Sequence, residues 1–246
     1  MSAGAVAAVI AVLILTIAVP LGTMLCLRRR GGTWGAFLVG AGTFLLFALV
    51  LEPVLHRLVL GSGIGPAIQG NIWLYGLYGG LAAGLFEETG RLLAFRYFLK
   101  SRPARVTALS YGIGHGGIEA FVLAGLTMLS NLILGLSYSS GSALPPEAAS
   151  AAAAVVSTPA HLFLLGGFER LCAMSLHMAL SVLVFASLRL ENRRRLFPAA
   201  ILAHGAVDFA AVVSAGFLPA AAVEGIVLLM TVLVCAWAAQ IYKKLT

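Results

Sequence analysis

Runs of apolar residues long enough to cross a bilayer follow one another along almost the whole chain. A span needs about 20 such residues, because an α-helix rises ~1.5 Å per residue across ~30 Å of hydrocarbon. Seven can be drawn, over 4–27, 33–55, 72–98, 106–135, 161–188, 197–216 and 219–242. Of the 246 residues, 61% are hydrophobic and only 10% charged. Soluble domains carry about 25% charged residues, so this chain cannot cover a water-facing surface. The expected fold is all-α, a polytopic transmembrane helical bundle of about seven spans, forming a single integral membrane domain over 1–246.

The charges orient that bundle. Arg28, Arg29 and Arg30 follow the first span, and Lys100, Arg102 and Arg105 lie between the third and fourth. Arg189, Arg193, Arg194 and Arg195 lie between the fifth and sixth, and Lys243 and Lys244 follow the seventh. These alternate connections fall on one side, whereas the opposite loops near 57–71 and 136–160 contain only Arg57. Positive charge marks the cytoplasmic side, so the amino terminus is expected outside and the carboxyl terminus inside, in a bacterial cell membrane. The net charge of +7 is accounted for in this way, and nucleic acid is not an expected partner. The start, MSAGAVAAV, lacks the basic region of a signal peptide. Cys26, Cys172 and Cys235 stand singly in apolar stretches and imply buried hydrophobes, not a disulfide framework.

Ionisable side chains inside spans cost roughly 2.5–3.5 kcal/mol each at a helix centre, yet four spans carry them. FEETGR in the third holds Glu87, Glu88 and Arg91; GHGGIEA in the fourth holds His115 and Glu119. The fifth holds His177, and HGAVD in the sixth holds His204 and Asp208. Counting the helical rise from the basic ends places Glu87, Glu88 and His177 at ~18 Å, His115 at ~14 Å and Glu119 at ~20 Å. His204 and Asp208 come to ~11 and ~16 Å by the same rise. One polar layer results, displaced toward the basic face, and water is expected to enter from that face. Gly76, Gly80 and Gly84 make a stripe that continues to Glu88, and Gly112 and Gly116 make another beside His115; such stripes let helices approach closely in lipid.

Each of these groups has a simpler reading. Arg91 can neutralise Glu87 at i,i+4 or Glu88 at i,i+3, which leaves the other carboxylate unexplained. His115–Glu119 and His204–Asp208 are i,i+4 pairs that could merely hydrogen-bond, and a lone His177 is commonly structural. Glu52, His56, Arg57, His161 and Glu224 lie near span ends, where interfacial anchoring covers them. Arg170 shares a face with His177 and suggests a supporting group. Taken together, the aligned layer points to an active site.

Residue types narrow the chemistry. Asp208 is the only aspartate, so a two-aspartate mechanism is excluded. There is no HExxH zinc motif, and Ser137 in GLSY lies far from the deep histidines. No span core holds a lysine for a Schiff base. Glutamate and histidine remain, either as a buried base acting on water beside a hydrogen-bond donor for an oxyanion, or as ligands of a divalent metal such as zinc.

FEETGR, GHGGIEA and HGAVD, in that order on separate spans, resemble the three motifs of the CAAX-protease and bacteriocin-processing superfamily. The YhfC-like branch, related to PrsW-type proteases and to the APH-1 scaffold of gamma-secretase, is the most similar. That resemblance covers 86–208 and implies Glu87 as general base assisted by His115, Glu88 paired with Arg91, and His204 with Asp208 as the oxyanion-stabilising part. Here two residues rather than three separate the Glu pair from the Arg, Asp208 stands in place of an Asn, and His177 has no counterpart in the scheme.

The expected function is therefore an intramembrane peptidase, glutamate-type or metal-dependent, cutting a membrane-embedded or membrane-proximal peptide. Catalytic candidates are Glu87, Glu88, His115, His204 and Asp208, supported by Arg91, Glu119 and His177. Metal-ligand candidates are Glu87, His115, His177 and His204, with no cofactor or a divalent metal both open. Partners are the bilayer and a membrane protein or lipidated peptide. The alternatives are a non-catalytic scaffold of APH-1 type and a seven-span metal-dependent lipid hydrolase, although the HxxxH pair usual in the latter is absent. A proton-coupled transporter would show repeated halves with broken helices, which this sequence lacks.

Overall fold

The structure, a computed structural model, describes residues 1–245, and among these it is helical without strands. Seven long helices follow the drawn spans: α1 (Ala3–Arg28), α2 (Trp34–Leu60), α4 (Ile72–Leu93), α5 (Val106–Ser139), α7 (Ala160–Arg189), α8 (Leu196–Ala215) and α9 (Ala220–Tyr242). Two short helices, α3 (Gly65–Gln69) and α6 (Pro146–Ser157), lie in the loops at the end away from the basic clusters. Polar caps start several helices. Ser2 Oγ accepts from the Ala5 N–H, Thr33 Oγ1 from Ala36, and Asn71 Oδ1 from both Trp73 and Leu74. Each cap satisfies amides that the first turn cannot pair.

Six of the long helices are apolar and long enough to cross a membrane. The seventh, α4, has 22 residues and runs on through a five-residue π turn at Ala94–Phe98. It is less apolar because it carries Glu87, Glu88 and Arg91, and it turns all three inward. Two further π turns, Phe47–Leu51 and Phe121–Gly125, lie within α2 and α5. Large apolar side chains such as Leu38, Leu58, Leu202 and Phe98 stand exposed around the outside, as lipid-facing residues must where the solvent is hydrocarbon.

The most extensive helix pairings are α4 with α8, α2 with α5, α5 with α7 and α7 with α9. Glycine permits the first three, with Gly40 against Tyr111 and Gly114 against Phe37 across the second. A Cβ on Gly205 would lie 2.7 Å from the Gly80 carbonyl oxygen, and one on Gly84 would lie 2.6 Å from that of Ile201. The second stripe works against α7, where a Cβ on Gly112 would come within 2.6 Å of Met178 Cα. The α4 stripe thus brings Glu88 to α8, and the α5 stripe brings His115 and Glu119 to α7. The basic connections meet at one end of the bundle. Arg189 donates to the Lys100 carbonyl at 3.0 Å, and Arg105 to the Leu245 carbonyl at 3.4 Å.

Candidate metal centre

α4 supplies two adjacent carboxylates. Successive helical residues are turned by ~100°, so Glu87 and Glu88 face different neighbours. Glu88 is sealed from solvent with Arg91, whose Nη1 lies 2.5 Å from both carboxylate oxygens. Arg91 also donates through Nη2 to His177 Nδ1 at 2.9 Å and lies 5.9 Å from the Tyr111 ring centroid. On the other side of Glu88, Oε1 accepts from His204 Nδ1 at 2.9 Å. A guanidinium, a carboxylate and an imidazole, each buried, thereby satisfy one another, which is how buried charge becomes tolerable.

Glu87 faces His115, whose Nε2 lies 2.8 Å from Glu87 Oε2. His177 Nδ1 is 3.8 Å from the same oxygen, and the His115 and His177 rings are 4.7 Å apart at their centroids. Buried His115 Nδ1 has no hydrogen-bond partner. One ligand atom each from Glu87, His177 and His204 lie within 4.8 Å of one another, all three residues being buried. Two imidazoles and a carboxylate are a donor set that suits zinc and leaves a fourth position open. His115, the fourth ligand candidate, stands outside this triangle and holds Glu87 instead.

The i,i+4 pairing expected for His115 with Glu119 does not form. The two side chains leave α5 in different directions: His115 meets Glu87, whereas Glu119 meets α7, with Oε2 2.5 Å from His177 Nε2 and Oε1 3.0 Å from Arg170 Nη1. Arg170 also pairs with Glu169. His204 and Asp208 do face each other, at 3.5 Å, beyond a good hydrogen bond. Asp208 is the most open member of the layer, its side chain 35% exposed.

The cavity beside the layer does not follow the expected water route. A cavity of about 110 Å³ touches Glu87, His177, His204 and Asp208, and continues past Glu119, Glu169 and Arg170 to Ala211, Val227 and Thr231. It runs between α7, α8 and α9 toward the half of the bundle without basic clusters. At the basic end a concavity of about 1070 Å³ is bounded by Ser187–Leu196, Ala199 and Trp237, and it reaches none of these polar side chains. The helical rise put these residues at one level and the bundle brings them together, but the cavity beside them extends away from the basic end.

Glu52 and His56, read from the sequence as interfacial anchors, form a second polar cluster. Glu52 is buried, and His56 bridges its Oε1 at 3.1 Å and the Tyr78 hydroxyl of α4 at 2.8 Å. The signal that could have found it is the Glu-x-x-x-His spacing, the mirror of the pairs deeper in the bundle. Arg170 as a partner of Glu119 was visible only as a shared face with His177; the contact itself joins α5 to α7.

The sequence has relatives. Residues 15–228 match the family model described as YhfC intramembrane metalloprotease. The chain is 36% identical over 236 residues to the uncharacterized membrane protein YhfC of Bacillus subtilis (strain 168), with 89% of each chain covered. No solved structure matches it. A helical membrane bundle with buried glutamate and histidine at one depth is thus joined to a family match over most of its length, and the chain belongs to the YhfC intramembrane metalloprotease family.

Proposed function

We propose that this protein hydrolyses a peptide bond of a membrane-embedded or membrane-proximal substrate, with a divalent metal held by Glu87, His177 and His204. The observation that carries this reading is the buried triangle of those three side chains on α4, α7 and α8. Its donor chemistry is that of hydrolytic zinc sites with two histidines and one glutamate. Its surroundings match as well, because ligating histidines are commonly backed by carboxylates, and here Glu88 backs His204. When bound, such a metal supplies a Lewis acid that polarises a carbonyl and eases proton loss from water.

The chain's own residues do the rest. Glu88, engaged by Arg91, accepts from His204 Nδ1 and leaves Nε2 of that ring with a lone pair. Arg91 can only donate, so His177 Nδ1 is likewise a lone-pair nitrogen; ligation there would replace the Arg91 hydrogen bond. His115 occupies Glu87 Oε2 and leaves Oε1 to bind. Asp208, which lines the cavity, takes a proton from water and returns it to the leaving amine in this reading. This assigns Glu87 to ligation and moves the base to Asp208, unlike the roles implied by the superfamily motifs. The basic end faces the cytoplasm of a bacterial cell and the amino terminus lies outside, as the alternating Arg and Lys clusters favour.

The test is elemental analysis of detergent-purified protein beside cleavage of a transmembrane-peptide library in liposomes, with products read by mass spectrometry. Wild type is expected to carry equimolar metal and to cut. Asp208→Asn is expected to keep the metal and lose about 10²- to 10⁴-fold in rate, the usual worth of a general base. A protein without metal that cuts would return the base to Glu87. A protein with neither metal nor cleavage would favour the scaffold reading.

A further inference from the structure

Two matching relays flank Glu87. In one, Arg91 of α4 grips Glu88, and Glu88 holds His204 of α8. In the other, Arg170 of α7 grips Glu119 of α5 through Oε1 at 3.0 Å, and Glu119 Oε2 lies 2.5 Å from His177 Nε2. The order is the same, guanidinium to carboxylate to imidazole, although the residues come from four helices with no shared spacing. Both carboxylates are buried; Glu88 hydrogen-bonds both the cation and the ring, whereas Glu119 hydrogen-bonds Arg170 through Oε1 and lays Oε2 against His177 Nε2 as a close ion-pair contact outside hydrogen-bond geometry.

We infer that Arg170 and Glu119 are positioning residues that hold the His177 imidazole for the metal, as Arg91 and Glu88 hold that of His204. Arg91 donates to His177 Nδ1, so the ring proton sits on Nε2, the nitrogen that faces Glu119. Glu119 has one oxygen tied to Arg170, which turns the other toward the ring. Without Arg170 the carboxylate has no second anchor and the ring can turn on its Cβ. Glu169, beside Arg170, completes the guanidinium's pairing at the cavity and keeps it from being orphaned when Glu119 is changed. The two relays also differ. Arg91 and Glu88 are fully enclosed, whereas Arg170 and Glu119 line the cavity, so the His177 relay is the one exposed to an incoming substrate.

This inference rests on the metal reading, and the experiment separates the two. Imidazole ¹H–¹⁵N spectra of metal-free, ¹⁵N-histidine-labelled protein are recorded first, with the His177 signal assigned by its loss in His177→Gln. A carboxylate-held Nε2 proton is expected, far downfield and slow to exchange. It should disappear in Glu119→Ala, weaken in Arg170→Gln and return in Arg170→Lys. Zinc affinity, by chelator competition, should fall about 10- to 100-fold in Arg170→Gln and Glu119→Ala, as losses behind a ligand do, with partial recovery in Arg170→Lys. An unchanged Nε2 signal and unchanged affinity in Arg170→Gln, even with a lower melting temperature, would make the pair a helix clamp and overturn the inference. A wild-type protein that takes up no zinc would remove the metal reading itself. The metal-free spectra would then still decide whether Arg170 and Glu119 position His177.

Discussion

The polar layer has an enclosed half and an open half. Glu88, Arg91 and His115 are completely enclosed and pair with one another or with Glu87, His177 and His204. Glu87, His177, His204, Asp208, Glu119 and Arg170 line the cavity between α7, α8 and α9. The same residue types therefore serve two ends. In the enclosed half each charge is paired with a buried partner, and their removal should be felt as stability. In the open half Asp208 and Glu169 keep partly exposed side chains, and removal should be felt as lost chemistry. A buried ion pair is costly to break because its partner is left charged in a medium that cannot solvate it, whereas a group beside a cavity can be solvated by water.

The sharpest way to break this division is Glu87→Gln, which keeps volume and neutralises one buried carboxylate. Activity is expected to fall to background with bound metal lost, while membrane abundance and melting temperature stay near wild type. A fully active Glu87→Gln protein would take Glu87 out of the open half. Next in size is Arg91→Ala, which strands Glu88; a cost of about 3–5 kcal/mol is expected for a broken buried pair. Abundance and melting temperature in detergent should both drop, with activity following, and a protein as stable as wild type would deny that the enclosed half is structural.

A smaller effect should come from Gly205→Ala on the α4–α8 seam. The new Cβ would meet the Gly80 carbonyl oxygen at 2.7 Å, and forcing the helices apart should cost about 1–3 kcal/mol, the usual scale of overpacking. Because Glu88 reaches His204 across this seam, metal affinity should fall along with melting temperature. If only stability falls, the seam does not set the site's geometry. The smallest change is expected from His56→Gln, outside the layer. Losing the hydrogen bonds to Glu52 and Tyr78 should cost about 1 kcal/mol in stability and leave cleavage intact. A large loss of activity there would extend the functional region beyond both halves.

Local properties carried most of the fold. Span length, the helical rise and the placement of Arg and Lys are read along one helix at a time, and they sufficed for seven long helices whose polar groups share one depth. The glycine stripes could be named as contact faces for the same reason, since i,i+4 spacing is a property of a single helix. What the spacing could not supply was the partner across the stripe. Gly80 meets Gly205, and Gly112 meets Met178, because rotation about each helix axis is set by the sum of contacts with several neighbours.

The site shows where that boundary lies. Its members, Glu87, Glu88, Arg91, His115, Glu119, His177, His204 and Asp208, were legible as ionisable residues too costly to bury without purpose. Their pairing was not. The i,i+4 rule offered Glu119 to His115, but the packed bundle gives Glu119 to His177 and Arg170, and Glu87 to His115. The rule also left open which carboxylate Arg91 would take, and the structure seats it on Glu88. The direction in which the cavity extends was missed for the same reason. Level along a helix follows from counting residues at a fixed rise, so the sequence by itself determined that a polar layer exists and which residues share its level. Which side chains meet, and which face of the layer stays open, depends on how each helix is turned and how closely its neighbours approach. Those are long-range outcomes of packing, and only the tertiary structure decided them.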